Sequence, residues 1–214
     1  MIKISSISDV FALKDGYIKE SINIEYKLIL GNDNDELAKD ISSFSNSEGG
    51  IIIYGIKEEN ELPTEIVGIE KGNNRLRIEQ VVNSLVSPPL EIRLDSFELP
   101  TGREVLVVTV PKSTNAPHMV SSKGRFYKRG NVCSPPVQMN QEEISLLYEK
   151  RNKIEELIKD EIIKKQSMLD AFHIDGWSAF EYIIICPTLS IHEITKLTKE
   201  KIVEIGNKYI IAQV

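Results

Sequence analysis

The sequence predicts an α+β fold: a mixed, mostly antiparallel sheet flanked by helices, with a long charged helix leading to a small C-terminal α/β segment. Three observations carry this. Between residues 22 and 27 the side chains alternate strictly, with Ile22, Ile24 and Tyr26 on one face and Glu25 and Lys27 on the other, the period of a half-buried strand. Ile51-Ile52-Ile53-Tyr54, entered through Gly49-Gly50, is an apolar run of central-strand type. Residues 90–99 and 105–110 flank the turn Pro100-Thr101-Gly102-Arg103, the pattern of an antiparallel pair.

The remaining elements follow in chain order. Residues 1–19 are of mixed character and read as an entry segment, with a turn at Lys14-Asp15-Gly16-Tyr17. Residues 35–44 read as a helix, because Leu37, Ile41 and Phe44 recur at helical spacing and Asp33 or Asn34 can cap it. The acidic stretch 57–63 reads as a loop leading to a short strand at 65–69. Leu76, Ile78, Val81, Val82 and Leu85 mark a second helix, ended by Ser87-Pro88-Pro89. Residues 125–128 add a short strand.

After Pro135-Pro136, residues 141–165 read as a long helix. Ile144, Leu147, Tyr148, Ile154, Leu157, Ile158 and Ile162 line one side and charges line the other. That stripe offers a face for a homo-oligomer, although packing onto its own domain is the simpler account. Beyond it, residues 182–186 read as a strand stopped by Pro187, residues 198–206 as a helix and 209–211 as strand-like; Phe172 and Trp177 are expected to anchor this piece to the long helix. The expected division is a domain at 1–140, a connecting helix at 141–170 and a C-terminal segment at 171–214. The final apolar run has no polar tail, which raises the expectation of a longer chain.

At 214 residues the chain can hold one medium domain with an appendage. Its net charge of −6 argues against indiscriminate coating of nucleic acid. The charge is uneven, however. No Asp or Glu occurs between Glu104 and Glu142, while Lys112, Lys123, Arg125, Lys128 and Arg129 all fall there, with His118 among them. Such a stretch can still bind phosphates locally against an acidic remainder. Cys133 and Cys186 have neither metal-ligand spacing nor a disulfide framework, as suits a reducing cytoplasm. No apolar segment approaches bilayer length, so no membrane partner is expected and the expected location is cytoplasmic.

Glu25 and Lys27 side by side on a strand are how many metal-dependent nucleases present a ligand and a charge stabiliser. A solvated strand face with a weak surface ion pair explains the same residues. Glu48-Gly49-Gly50 reads as a phosphate cradle or, more simply, as a tight turn with positive φ. No Gly-x-x-x-x-Gly-Lys-Ser/Thr occurs, and Lys112-Ser113-Thr114 lacks the glycine loop, so no ATP is expected.

Residues 112–129 are the best candidate for nucleic-acid contact. Lys112, Lys123, Arg125, Lys128 and Arg129 can reach phosphates, a ring of Phe126 or Tyr127 can stack on a base, and His118 can donate to a phosphate. The competing account packs one aromatic in the core and leaves the cations as a solvated edge that discourages strand pairing. A lone loop histidine more often does neither.

The order of parts resembles the Schlafen family's Alba-like nucleic-acid-binding domain over roughly residues 15–150. The matching residues are Glu20-Ser21 with Glu25-Tyr26-Lys27, the Phe44-Ser45-Asn46-Ser47-Glu48-Gly49-Gly50 turn, Ile51-Ile52-Ile53-Tyr54-Gly55-Ile56 and Ile66-Val67-Gly68-Ile69. Further along come Val105-Leu106-Val107-Val108-Thr109-Val110-Pro111 with Ser113 and Pro117-His118, and last Arg125-Phe126-Tyr127-Lys128-Arg129-Gly130.

The resemblance implies a nucleic-acid partner, RNA or DNA. It also implies a three-carboxylate site that binds Mg²⁺ or Mn²⁺ and cuts structured RNA such as tRNA in those members that are nucleases. By position, the first two acids are Glu20 and Glu25. The third falls at Lys57-Glu58-Glu59, where members commonly carry aspartate, so Glu58 and Glu59 both stand. Carboxylate oxygens with water suit such hard ions, which activate water and steady phosphate charge; Lys27 would neutralise the same phosphate. One rival is a non-catalytic DNA- or RNA-binding module of a regulatory protein. Another is a restriction-type nuclease built on Glu25-x-Lys27, which needs an upstream acid close to Glu25.

Overall fold

The computed structural model describes residues 3–130 and 135–171, with the side chains of those up to 160. The first element is a helix, α1 (Ile7–Asp15), where the sequence reading expected an entry segment. Its signal is local. Ser6 accepts from the Asp9 amide while the Asp9 carboxylate accepts from the Ser6 amide, a capping box that satisfies both ends of the first turn. The expected turn follows, with Tyr17 at φ 51°.

Next come β1 (Ile24–Lys27), α2 (Asn34–Ser45) and β2 (Gly50–Tyr54). The Asp33 carboxylate caps α2, accepting from the amides of Asp35 and Glu36. β1 runs parallel to β2, and Lys27 lies beside Tyr54 in register. The chain enters β2 through Gly49 at φ 70°, where a Cβ would sit 2.5 Å from the Lys112 nitrogen. The Gly49 amide donates to the Phe44 carbonyl and so closes the turn, as the simpler of the two accounts expects.

The acidic stretch expected as a loop is a hairpin of β3 (Ile56–Glu59) and β4 (Leu62–Ile66), turned by Asn60 and Glu61, both at positive φ. An Asn at the turn supplied the hint, since it tolerates that backbone conformation. α3 (Asn74–Leu85) runs into β5 (Val86–Ser87), and β6 (Arg93–Glu98) pairs antiparallel with β7 (Glu104–Val110) as expected. β8 (Met119–Val120), β9 (Arg125–Lys128) and β10 (Val137–Gln138) follow, and then α4 (Gln141–Ala171).

Two four-stranded sheets result, in the orders β1-β2-β7-β6 and β10-β9-β8-β5. Among the described residues only the β1–β2 pair is parallel, which makes the fold α+β with mostly antiparallel pairing. The period of two in β2 and β7 divides the core. Ile51, Ile53, Val105 and Val107 pack with Val10 and Leu13 of α1 on one face. Ile52, Tyr54, Leu106, Val108 and Val110 pack with Leu37, Ile41 and Phe44 of α2 and with Ile78 and Val82 of α3 on the other. Val120 and Tyr127 of the second sheet join that second cluster. Each such aliphatic side chain contributes about 1.5–3 kcal/mol on burial.

Residues up to Tyr148 form one compact unit, and α4 continues beyond it. Within this unit Tyr148 sets its ring edge-on to Phe126, with centroids 6.5 Å apart. Among the described residues no helix is long and apolar enough to cross a membrane. The strands and helix expected after residue 171, and the anchoring of Phe172 and Trp177, lie outside the described residues.

Candidate nucleic-acid interface

Alternation along β1 sends Ile24 and Tyr26 into the α1 face of the core and directs Glu25 and Lys27 toward α2. β1 is an edge strand, so those two side chains are half-buried. They meet an acid from the helix and a cation from β9's C-terminal end. Lys27 Nζ lies 2.8 Å from Glu25 Oε1 and 3.0 Å from Asp40 Oδ2. Glu25 Oε2 accepts from Arg129 Nη1. The Arg129 guanidinium stacks over the Phe44 ring, 4.2 Å from its centroid, and its backbone amide donates to Ser47 Oγ at 2.9 Å. The result is a row of alternating charge: Arg129, Glu25, Lys27, Asp40.

Burial works against the charge on Lys27, but Asp40 and Glu25 outweigh it and push its pKa up, so the ammonium persists. Burial pushes the Asp40 carboxyl above the ordinary range, and Lys27 pulls it partly back.

Glu20 lies beyond the other end of β1. Its Oε1 accepts from the Tyr26 amide at 2.7 Å. Burial pushes its pKa up; the Tyr26 amide opposes this, and the charges of Glu25 and Glu58 add to the push. Burial and Glu20 in turn push the Tyr26 hydroxyl up to about 12. Glu58 therefore acts on Glu20, while its own Oε2 accepts from the Glu61 amide at 2.9 Å. Glu59 pairs at 3.0 Å with Lys57 on the exposed side of the hairpin.

Among the described residues, no group of three or more Asp, Glu, His or Cys side chains is arranged to hold a metal ion. The hydrogen bonds give a reason. Both Glu25 oxygens are taken by cations, and Glu20 and Glu58 each spend an oxygen on a backbone amide. As placed, these acids do not fit Mg²⁺ or Mn²⁺.

The basic stretch divides into two groups. Arg125 is exposed and has no ion-pair partner among the described residues. Lys112 pairs with Glu48 at 2.7 Å, Lys123 with Glu36 at 3.2 Å, and Lys128 with Glu143. The other group is internal. The expectations of a base-stacking Tyr127 and a phosphate-binding His118 are corrected by burial of both side chains. His118 donates its amide to Asn46 Oδ1 at 2.6 Å, and its ring Nδ1 lies 2.7 Å from the Pro88 carbonyl oxygen. Arg129 is internal too, with its side chain only 6% exposed.

Two residues passed over by sequence reasoning organise this region. Asn46, at the end of α2, donates Nδ2 to the carbonyls of His118 and Tyr127 at 2.9 and 2.8 Å, fastening β8 and β9 to the helix. Asp40 supplies the last charge of the row. A signal was available for it: an acid three residues after Leu37 and one before Ile41 sits on the apolar stripe of α2.

An uncharacterized ATP-binding protein of Ureaplasma parvum serovar 3 is 31% identical over 100 residues, 42% of this chain and 27% of that protein. The chain thus spans about a quarter of that relative's length, and the ATP binding in its name is said of that protein. The N-terminal domain of a RecG-related protein of Nitrosomonas europaea aligns at 17% identity with a TM-score of 0.47, over 64% of this chain and 93% of that one. A protein of Corynebacterium diphtheriae aligns at 17% identity and a TM-score of 0.41, over 61% and 26%. Residues 20–138, from the acid before β1 to the end of β10, match the family described as Schlafen, AlbA_2, and the chain belongs to that nucleic-acid-related family.

Proposed function

We propose that the chain binds nucleic acid along β9 and the turn before it, with Lys123, Arg125 and Lys128 on the phosphates and Lys112 nearby in sequence as a further contact. The observation that carries this reading is the exposed Arg125, without an ion-pair partner among the described residues, between two lysines whose partners are surface carboxylates. Such surface pairs contribute only about 0–1 kcal/mol. A phosphate can therefore displace Glu36 or Glu143 at little cost, and release of counterions adds to the gain.

The test is affinity for single-stranded RNA and DNA across a range of salt. Arg125→Ala is expected to lower the slope of log K against log salt by about one and to weaken all sequences alike. An unchanged slope and affinity would remove this face from the interface.

A second reading, a metal-dependent endoribonuclease acting on structured RNA such as tRNA, requires Glu25 to exchange Lys27 and Arg129 for the ion. What favours it is that Glu20 lies close enough to Glu25 and Glu58 for their charges to help raise its pKa. Incubation with mixed tRNA and Mn²⁺ or Mg²⁺ separates cutting from holding. Cleavage lost in Glu25→Gln and in EDTA supports the reading; absence of cleavage, or cleavage that survives both, removes it.

A further inference from the structure

Beyond the C-terminal ends of the parallel strands β1 and β2, under the first turns of α2, lies a pocket of about 320 Å³. Ligands of parallel β–α–β units commonly bind at this end of the strands. Leu30 and Leu37 form part of an apolar wall, Lys27, Asp40 and Tyr54 supply polar groups, and Glu36 stands among the lining residues. Nearby, Ile29 leaves 63% of its surface exposed.

Three polar groups here have capacity to spare. Tyr54 is only 2% exposed, yet its hydroxyl makes no hydrogen bond among the described residues. Burial pushes its pKa far up, with Asp40 and Glu25 adding to the shift, so it remains a hydroxyl. Asp40 spends one oxygen on Lys27 and keeps the other. Lys27 has two carboxylate partners for three N–H bonds. The pocket therefore offers a hydroxyl donor, a carboxylate acceptor and an ammonium donor side by side. Lys123, 3.2 Å from Glu36, adds a cation beside the lining.

We propose that this pocket takes one unpaired nucleobase bearing an exocyclic amino group, adenine or cytosine, while an adjacent phosphate lies on Lys123. The proposal rests on the nucleic-acid reading above and names where a base goes. The amino group donates to Asp40, the neighbouring ring nitrogen accepts from Tyr54 or Lys27, and the ring lies against Leu30 and Leu37. With the phosphate on Lys123 fixing how the base enters, uracil places its C4 carbonyl where the amino group belongs, acceptor against acceptor. A phosphate inside would face Asp33, Glu36 and Asp40 with one lysine to hold it. An organic cation would face the Lys27 ammonium and offer no acceptor to the two donors.

The experiment measures fluorescence anisotropy of labelled oligo-A, oligo-C and oligo-U RNA with the full chain at fixed salt. The wild type is expected to bind oligo-A or oligo-C about tenfold more tightly than oligo-U. Tyr54→Phe keeps the ring and should erase that preference without changing oligo-U affinity. Asp40→Asn, whose amide can donate, should shift preference toward oligo-U, a swap that mere loss of packing cannot produce. Equal wild-type affinity for all three, or a Tyr54→Phe loss shared by all three, overturns the pocket and leaves the binding face standing. Binding of none, even at low salt, overturns the binding reading and the pocket with it.

Discussion

Arg129 and Glu25 stand 104 positions apart in the chain, and the guanidinium donates to the carboxylate from a nearly enclosed position. Lys27 holds the carboxylate's other oxygen, and Phe44 lies flat under the arginine. The pair joins the end of β9 to the edge strand β1.

Arg129→Ala is expected to cost about 3 kcal/mol, the low end for breaking an enclosed ion pair, because Lys27 still faces Glu25. Arg129→Lys should recover only part of it, since an ammonium cannot lie flat over the ring or fork to the acid. Urea unfolding of the three proteins measures this. Equal midpoints would show that the pair contributes nothing to stability.

Glu20 gives a pH dependence of defined sign. The unfolded chain releases this proton near the ordinary value of 4.5, whereas burial holds it to a higher pH in the folded state. The folded state then binds more protons in that window. Its stabilising effect is complete below 4.5 and is lost as pH rises through the raised value. Glu20→Gln still accepts from the Tyr26 amide but does not titrate. Relative to wild type, the variant should gain stability between pH 4.5 and 7; Asp40 shifts in the same direction in both proteins and cancels. A wild type that gains on the variant over this range would contradict the assignment.

Asn46→Ala removes three buried hydrogen bonds, one from the His118 amide and two to the carbonyls of His118 and Tyr127. The expected loss is about 3 kcal/mol, with faster hydrogen exchange in β8 and β9 than in β2 and β7. Uniform exchange across both sheets would deny Asn46 its role in fastening β8 and β9 to α2.

Gly49→Ala meets two obstacles, a backbone at φ 70° and a Cβ 2.5 Å from the Lys112 nitrogen. The expected cost is about 3 kcal/mol from strained backbone and crowding together. Thermal unfolding is the check, and a stable variant would mean the turn can relocate.

Strands β1, β2, β6, β7 and β9 and helices α2, α3 and α4 were legible because each shows its own period or bounding turn. α1 was not, for its polar cap is stronger than its apolar pattern: only Val10 and Leu13 are buried. The β3–β4 hairpin was hidden because one strand carries the charges Lys57, Glu58 and Glu59, which tertiary pairing tolerates and propensity does not favour. At the site, alternation foretold that Glu25 and Lys27 share a face, but not which partners come to them. Arg129 read as a phosphate contact because charge alone cannot distinguish a free cation from one turned inward onto Phe44. Sequence separation was the obstacle, since no local pattern links residue 25 to 129 or 46 to 118.

That separation also sets an order of events during synthesis. At ribosomal speed Glu25 emerges roughly 5–20 s before Arg129. Throughout that interval the nascent first half carries Glu25 with only Lys27 to balance it, and α2 lacks the hairpin that Asn46 will clasp. The contacts that close this domain thus form late in synthesis, and a polypeptide released before residue 129 would lack the guanidinium on Glu25.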